Sequence, residues 1–159
     1  MSLSRLCLPS VRSRGFSLIE LMIAVSVLAI VMSLALPSFF DSLRKGRRSD
    51  AVQAIAAVQQ AQERFRGANP TYSDNLTAAP NASPPGLGLS VNTPNGHYTL
   101  ELSTPPAAGT YIVTATAQGS QAADTQCAKM AARIIGGVIS YGSGSTSVNW
   151  SDPKNCWAK

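Results

Sequence analysis

Residues 16–40 form one apolar run interrupted by a single charge, Glu20. A membrane span takes about 20 apolar residues, so the run is long enough to cross a bilayer. A charge well inside a span costs roughly 2.5–3.5 kcal/mol on insertion scales. The carboxylate therefore constrains the reading of the whole N-terminus. A cleaved secretory signal accounts for the basic residues ahead of the run, and Ser33-Leu34-Ala35 offers small residues for cleavage. The run is long for a signal core, however, and such cores carry no glutamate. A simple anchor accounts for the length alone. A helix that first anchors and later packs in an assembly accounts for the length and the charge together. Cys7 does not read as a lipidation site, because Arg5-Leu6 precedes it and the apolar run follows it.

The charge balance supports a membrane partner. The net charge is +5 and the pI about 9.5. Arg5, Arg12 and Arg14 precede the run, and Arg44, Lys45, Arg47 and Arg48 follow it. From Gly67 onward Lys129, Arg133, Lys154 and Lys159 are matched by Asp74, Glu101, Asp124 and Asp152. The basic excess thus lies at the ends of an apolar helix, a pattern that favours a membrane over a DNA-binding globular face. Because both ends are basic, charge leaves the orientation open.

Helical character continues beyond the run. Pro37 removes a backbone donor and predicts a bend. In 41–66, Ala51, Ile55, Val58, Gln62 and Phe65 recur at helical spacing, with Val52 and Ala56 widening the stripe. Arg48, Asp50, Gln53, Gln60 and Glu63 fall mostly off it, which predicts an amphipathic helix with one core face. A helix from Phe16 to Arg66 would extend on the order of 75 Å. Residues 67–96 are rich in Pro, Asn, Ser and Gly and read as a long surface loop. "GHYTLELS" and "TYIVTATAQ" alternate and predict a hairpin. "QCAKMAARII" allows helix or strand, and strand is favoured by the hairpin before it and the Gly136-Gly137 turn after it. The fold class that results is α+β: a long N-terminal helix packed on a small antiparallel sheet.

The C-terminal tail is irregular and needs pinning. Cys127 and Cys156 either pair or remain two separate thiols. If paired, they close a loop of about 30 residues, worth roughly 3–4 kcal/mol in the chain-entropy model. Such a bond belongs in an oxidising compartment such as the periplasm. Tyr141, Trp150 and Trp157 read as packing for this tail. No enzyme is expected: His97 is the only histidine, and no nucleophile motif, phosphate loop or metal-spaced His/Cys cluster accompanies it. No cofactor or metal is expected either.

The stretch "RGFSLIELMIAVSVLAIVMSLALPSF" closely resembles the N-terminus of a type IV prepilin: a basic leader ending in Gly15, then Phe16, then an apolar helix with Glu20 at its fifth position and a proline at 37. "KGRRSDAVQAI", "QAQERF", "TYSDNL", "YIVTATAQ", "DTQCAKM" and "NCWAK" are similar to the PilE-like minor pilins of type IVa pili. The leader is longer than usual for this class and carries a cysteine, so the true start could lie downstream of Met1. The resemblance implies the type IV pilin fold, with 1–15 as leader peptide, 16–40 as transmembrane and assembly helix, 41–66 as amphipathic helix and 67–159 as head. Within the head it implies a loop at 67–96, an antiparallel sheet at 97–141 and a disulfide-bounded region at 127–156.

The resemblance also implies processing and assembly. A prepilin peptidase would cut between Gly15 and Phe16 and methylate the new Phe16 amine. The subunit would sit in the inner membrane as a single-pass protein with a periplasmic head. An assembly machine would then move it into a surface filament of other pilin subunits, serving adhesion, twitching motility or DNA uptake. Glu20 would meet a Phe16 amine in the filament, Pro37 would kink the helix, and Cys127 and Cys156 would form the disulfide. Two alternatives belong to the same resemblance. One is a ComP-like DNA-binding pilin for natural transformation, whose DNA contacts would be Lys129, Arg133, Lys154 and Lys159. The other is a pseudopilin of type II secretion.

Overall fold

A computed structural model describes residues 15–103 and 109–157. Residues 1–14, with Cys7, residues 104–108 and residues 158–159 lie outside the described residues. The chain divides into two compact units, one ending at Phe39 and one beginning at Phe40. A single helix, α1 (Leu18–Ala68), contributes to both. The hydrogen-bonded helix continues through Pro37.

In the first unit every described residue is exposed. An 18-residue window of α1 reaches a mean hydropathy of 2.5 with none of it buried. Leu34 is 77% exposed and Phe16 76%. A helix apolar on every side finds its solvent in lipid or among other such helices.

In the second unit α1 has one buried face: Asp50, Ala51, Ala54, Ile55, Val58, Ala61 and Gln62. It is joined in the core by residues of a four-stranded antiparallel sheet ordered β1 (Tyr98–Ser103), β2 (Tyr111–Ala117), β3 (Lys129–Ile135) and β4 (Val138–Gly144). Alternate residues share a face. The register therefore lines up Leu100, Ala115, Met130 and Ser143 in one row and Leu102, Val113, Ala132 and Tyr141 in another. Ala115 and Ala132 are fully buried, as is Ala51 on the helix. Small side chains there leave room for Tyr98, Tyr111, Ile55 and Met130, the largest buried groups. Between β3 and β4 the chain reverses in two residues. Gly136 (φ 57°) and Gly137 (φ 81°) supply the positive φ pair that a tight hairpin turn demands. The expected hairpin and the strand reading of 126–135 are both observed, with the strand itself beginning at Lys129.

Three polar anchors tie loops to α1, and of these only Gln62 belongs to the stripe expected from the sequence. Asp50, placed off the stripe by its spacing, is 98% buried; its relative exposure is 2%. Its carboxylate accepts hydrogen bonds from Thr93 Oγ1 (2.5 Å), Asn95 Nδ2 (3.1 Å) and the backbone N–H groups of Asn95 (3.3 Å) and His97 (3.4 Å). A buried carboxylate must be satisfied in this way, and doing so ties the turn before β1 to the helix. Gln62 donates to the Ser73 carbonyl (2.9 Å) and accepts from the Ser73 N–H (3.0 Å). That pair fastens the start of the 67–96 segment, whose Leu76 and Leu87 enter the core. Arg48 forms a bidentate pair with Asp124 at 2.7 and 2.9 Å, joining α1 to the turn after β2.

These contacts predict distinct mutational costs, measurable by urea unfolding of the full chain in mild detergent. Arg48→Ala strands the Asp124 carboxylate, which is 6% exposed, and is expected to cost roughly 2–4 kcal/mol. Arg47→Ala loses only one exposed bond to Ser120 and should stay within about 0.5 kcal/mol. Tyr98→Phe removes the acceptor of a Gln121 bond and should cost about 1 kcal/mol. Tyr111→Phe removes a buried hydroxyl with no partner among the described residues, and should be neutral or stabilising. Burial, with Glu63 nearby, raises the Tyr111 pKa above its ordinary 10.0. The stability this group protects is present below pH 10 and is lost as pH rises beyond it. Tyr111→Phe should therefore lose less stability than the parent between pH 10 and 12.

Candidate functional site

The residues expected to carry function fall into three places. The first is the start of the described chain. Gly15, Phe16 and Ser17 are exposed and precede α1, whose first turn holds Glu20. A Cβ built on Gly15 would meet nothing within 4 Å. The Gly15–Phe16 bond thus lies ahead of the helix, outside regular structure. Glu20 is exposed on a helix where Leu18, Ile19, Leu21, Met22 and Ile23 around it are apolar, and its position in the first turn suits the helix dipole.

The second place is the C-terminal region. Cys127 and Cys156 form a disulfide with a Cα–Cα distance of 5.7 Å, and both are buried. The tail is also held by Asp152, which accepts from Ser143 Oγ and from the N–H groups of Cys156 (3.0 Å) and Trp157 (3.3 Å). Asp152 takes a positive φ of 44°, uncommon outside glycine and tolerated best by Asn and Asp. Trp157 donates through Nε1 to the Gly142 carbonyl (2.8 Å) and packs against Tyr141 at a tilt of 47°, with 4.6 Å between ring centroids. The aromatic residues therefore pack the tail, as their sequence context suggests. Asp152 was the anchor that sequence reasoning missed. Its signal is an Asp four residues before the cysteine of an otherwise irregular tail.

The third place is the basic set. Lys129 and Arg133 occupy β3 with the parity opposite to Met130, Ala132 and Ile134, so they share the sheet face turned away from α1. Arg133 stacks its guanidinium on Trp150 at 4.2 Å. Lys154 belongs elsewhere. It lines an open groove with Lys45, Arg48 and Val52 of α1. Lys159 lies outside the described residues. The structure thus pairs Lys129 with Arg133 on one face and sets Lys154 beside Lys45. Of the basic residues after the apolar run, Arg48 belongs to the fold rather than to a membrane contact, because its charge is used by Asp124. Arg44 pairs with Asp41 at 2.8 Å, and Arg47 donates to Ser120 at 2.8 Å. Lys45 and Lys154 have no carboxylate partner among the described residues.

Comparison with known proteins joins these places in one family. Residues 11–36 match the prokaryotic N-terminal methylation motif. Residues 37–131 match the model of the type IV minor pilin ComP, DNA uptake sequence receptor. The chain is 38% identical to the type IV major pilin protein PilA of Myxococcus xanthus over 40% of its own length and 29% of PilA. It is 28% identical to the type II secretion system core protein G of Klebsiella pneumoniae over 69% of its own length and 80% of that protein. It is 32% identical to the type IV major pilin protein PilE1 of Neisseria gonorrhoeae over 45% of its own length and 44% of PilE1. The match thus spans less than half of either major pilin and most of the secretion protein. With the ComP model covering more than half of its residues, on a long helix, a four-stranded antiparallel sheet and a C-terminal disulfide, the chain belongs to the type IV minor pilin ComP family.

Proposed function

We propose that the chain is a minor pilin, cut between Gly15 and Phe16, methylated on Phe16, held in the inner membrane with its head in the periplasm, and assembled into a type IV pilus. The observation that carries this reading is the exposed apolar helix bearing Glu20 in its first turn, in a chain whose methylation motif runs directly into the ComP family match. Residues 1–15 would be the leader, 16–40 the anchor and assembly helix, 41–66 the amphipathic half and 67–159 the head. The role is structural, with other pilins and the prepilin peptidase as partners.

Glu20 is the residue on which assembly turns. In lipid its charge is a liability. Among packed helices it can meet a Phe16 amine, a pair that gains from the low dielectric and is costly to break. Its own amine is a second candidate, about one helical turn away. Glu20→Ala should leave peptidase cleavage intact and lower the amount of subunit in sheared pili by at least about tenfold, since an unpaired buried charge costs roughly 3–5 kcal/mol. Incorporation at the parent level would end the pairing account. Gly15→Val should block cleavage and leave only the unprocessed chain in membranes.

The family match favours DNA recognition as a further role, because the matched family is described as a DNA uptake sequence receptor. Lys129, Arg133, Lys154 and Lys159 are the candidate phosphate contacts. Binding by the full chain should then fall steeply with salt, and neutralising each contacting lysine should lower the salt slope by about one. An unchanged slope in Lys129→Gln and Lys154→Gln would remove those residues from the interface. The likeness to core protein G supports a third reading, a secretion pseudopilin. A deletion strain separates the three. Lost pili and twitching indicate filament building, lost transformation with normal pili indicates DNA uptake, and lost secretion alone indicates the pseudopilin.

A further inference from the structure

The last strand of the sheet presents an open edge. Charges, prolines and bulges commonly blunt such edges. β4 has no charged residue and no proline, and its pairing with β3 runs without a bulge. The tail closes one end of this edge: Ser143 donates its N–H to the Asn149 carbonyl (3.0 Å) and accepts from the Asn149 N–H (2.8 Å). Alternate residues of a strand turn their backbone groups to the same side. The N–H and C=O groups of Ile139 and Tyr141 therefore face outward with those of Ser143, and no backbone among the described residues pairs with them there. The opposite edge differs. Leu100 of β1 donates to the Val91 carbonyl (2.6 Å), and the Tyr98 carbonyl accepts from the Thr93 N–H (3.0 Å).

The two faces beside this edge select what fits it. On the α1 side lies a cleft of about 510 Å3, lined by Val52, Ala56, Gln59, Tyr141, Trp150 and Trp157. Ile139 and Tyr141 have the same parity on β4 and are 48% and 43% exposed. Gln59 brings a buried amide nitrogen with no acceptor among the described residues. On the other face Arg133 stands directly opposite Ser140 in the register. Its guanidinium lies over Trp150 at 4.2 Å, and no carboxylate pairs with it among the described residues. A strand added beyond β4 would extend the row Arg133–Ser140. With strands about 4.8 Å apart, its residue in that row starts roughly 10 Å from Arg133, within the joint reach of Arg and Glu side chains.

We infer that the open edge of β4 is a docking site for an extended segment of a partner protein, in which an acidic residue stands between two apolar ones. The segment adds a fifth strand to the sheet. Its backbone bonds to Ile139 and Tyr141, its apolar side chains cover those two residues beside the cleft, and its acid meets Arg133. The site is short: the edge is free from Val138 to Gly142, about 17 Å of strand, between the Gly136-Gly137 turn and Asn149. A second copy of this chain fits poorly. Its β4 brings no acid to Arg133, and its β1, which carries Glu101, is already bonded to Val91 and Thr93. The inference concerns the head alone, and none of the three readings above uses this edge.

The test uses the full chain in mild detergent and a capped nine-residue peptide in which valine and glutamate alternate. At saturating peptide, amide hydrogen exchange at Ile139 and Tyr141 should slow by at least about tenfold, with Leu100 unchanged. The same peptide with lysine in place of glutamate should bind about fivefold more weakly, and Arg133→Gln should remove that preference. N-methylation of the valines takes away the N–H groups that face β4, and this peptide should protect neither amide. Equal protection by the N-methylated peptide would overturn strand addition. Equal binding of the glutamate and lysine peptides would overturn the acidic partner. No protection at about 1 mM peptide would overturn the site itself. Protection that appears without peptide and grows with chain concentration would overturn it in favour of a second copy. A DNA duplex that binds through Arg133, with both amides left unprotected by the peptide, would overturn it and give Arg133 to nucleic acid.

Discussion

The head depends on one face of α1, from Asp50 to Gln62. Its apolar members, Ala51, Ala54, Ile55, Val58 and Ala61, form one core with the inward rows of the sheet. A four-stranded sheet has two faces to cover, and among the described residues one α-helix is available to cover one of them. Small residues on both sides allow close approach, and Tyr98, Tyr111 and Met130 fill what remains. The same face carries the bonds that organise the loops. Asp50 holds the turn before β1, and Gln62 holds the segment after the helix. Arg48, just before this face, holds the turn after β2. Apolar burial supplies the attraction; the polar contacts, each requiring a particular partner, fix which loop lies where.

The division of the helix follows from the solvents it meets. Up to Phe39 it is apolar on all sides and exposed, with Glu20 as its only charge. From Phe40 it is apolar on one side only and carries charges along the other. No change of secondary structure marks the transition, and the helix passes through Pro37. One element can thus serve a membrane or a helical bundle at one end and a water-soluble core at the other, because periodicity rather than helix propensity separates them.

Much of this was legible in the sequence because it was periodic. The stripe Ala51, Ile55, Val58 and Gln62 is buried, and the alternating strands pair as their patterns require. The Gly136-Gly137 reversal is readable because few other residues accept its backbone conformation. Two of the polar anchors, Asp50 and Arg48, were not legible. Asp50 falls outside an apolar template, and its partners Thr93, Asn95 and His97 lie more than forty residues away. Arg48 resembles its basic neighbours in sequence and differs from them only in having Asp124 beside it. The loop 67–96 reads as surface from its composition, yet Leu76 and Leu87 enter the core, since isolated leucines in a polar stretch have no period to reveal them. The residues proposed for processing and assembly, Gly15, Phe16 and Glu20, come from motif rather than from packing, since all three are exposed.

The central claim is that the apolar helix survives processing and becomes the buried axis of a filament, instead of being removed as a secretory signal. The most direct measurement is the intact mass and N-terminal sequence of this chain recovered from sheared surface filaments. The account predicts a single species beginning at Phe16, carrying one methyl group on its amine and an internal Cys127–Cys156 disulfide. Recovery of a species that begins after Ala35 and lacks the apolar helix would contradict it.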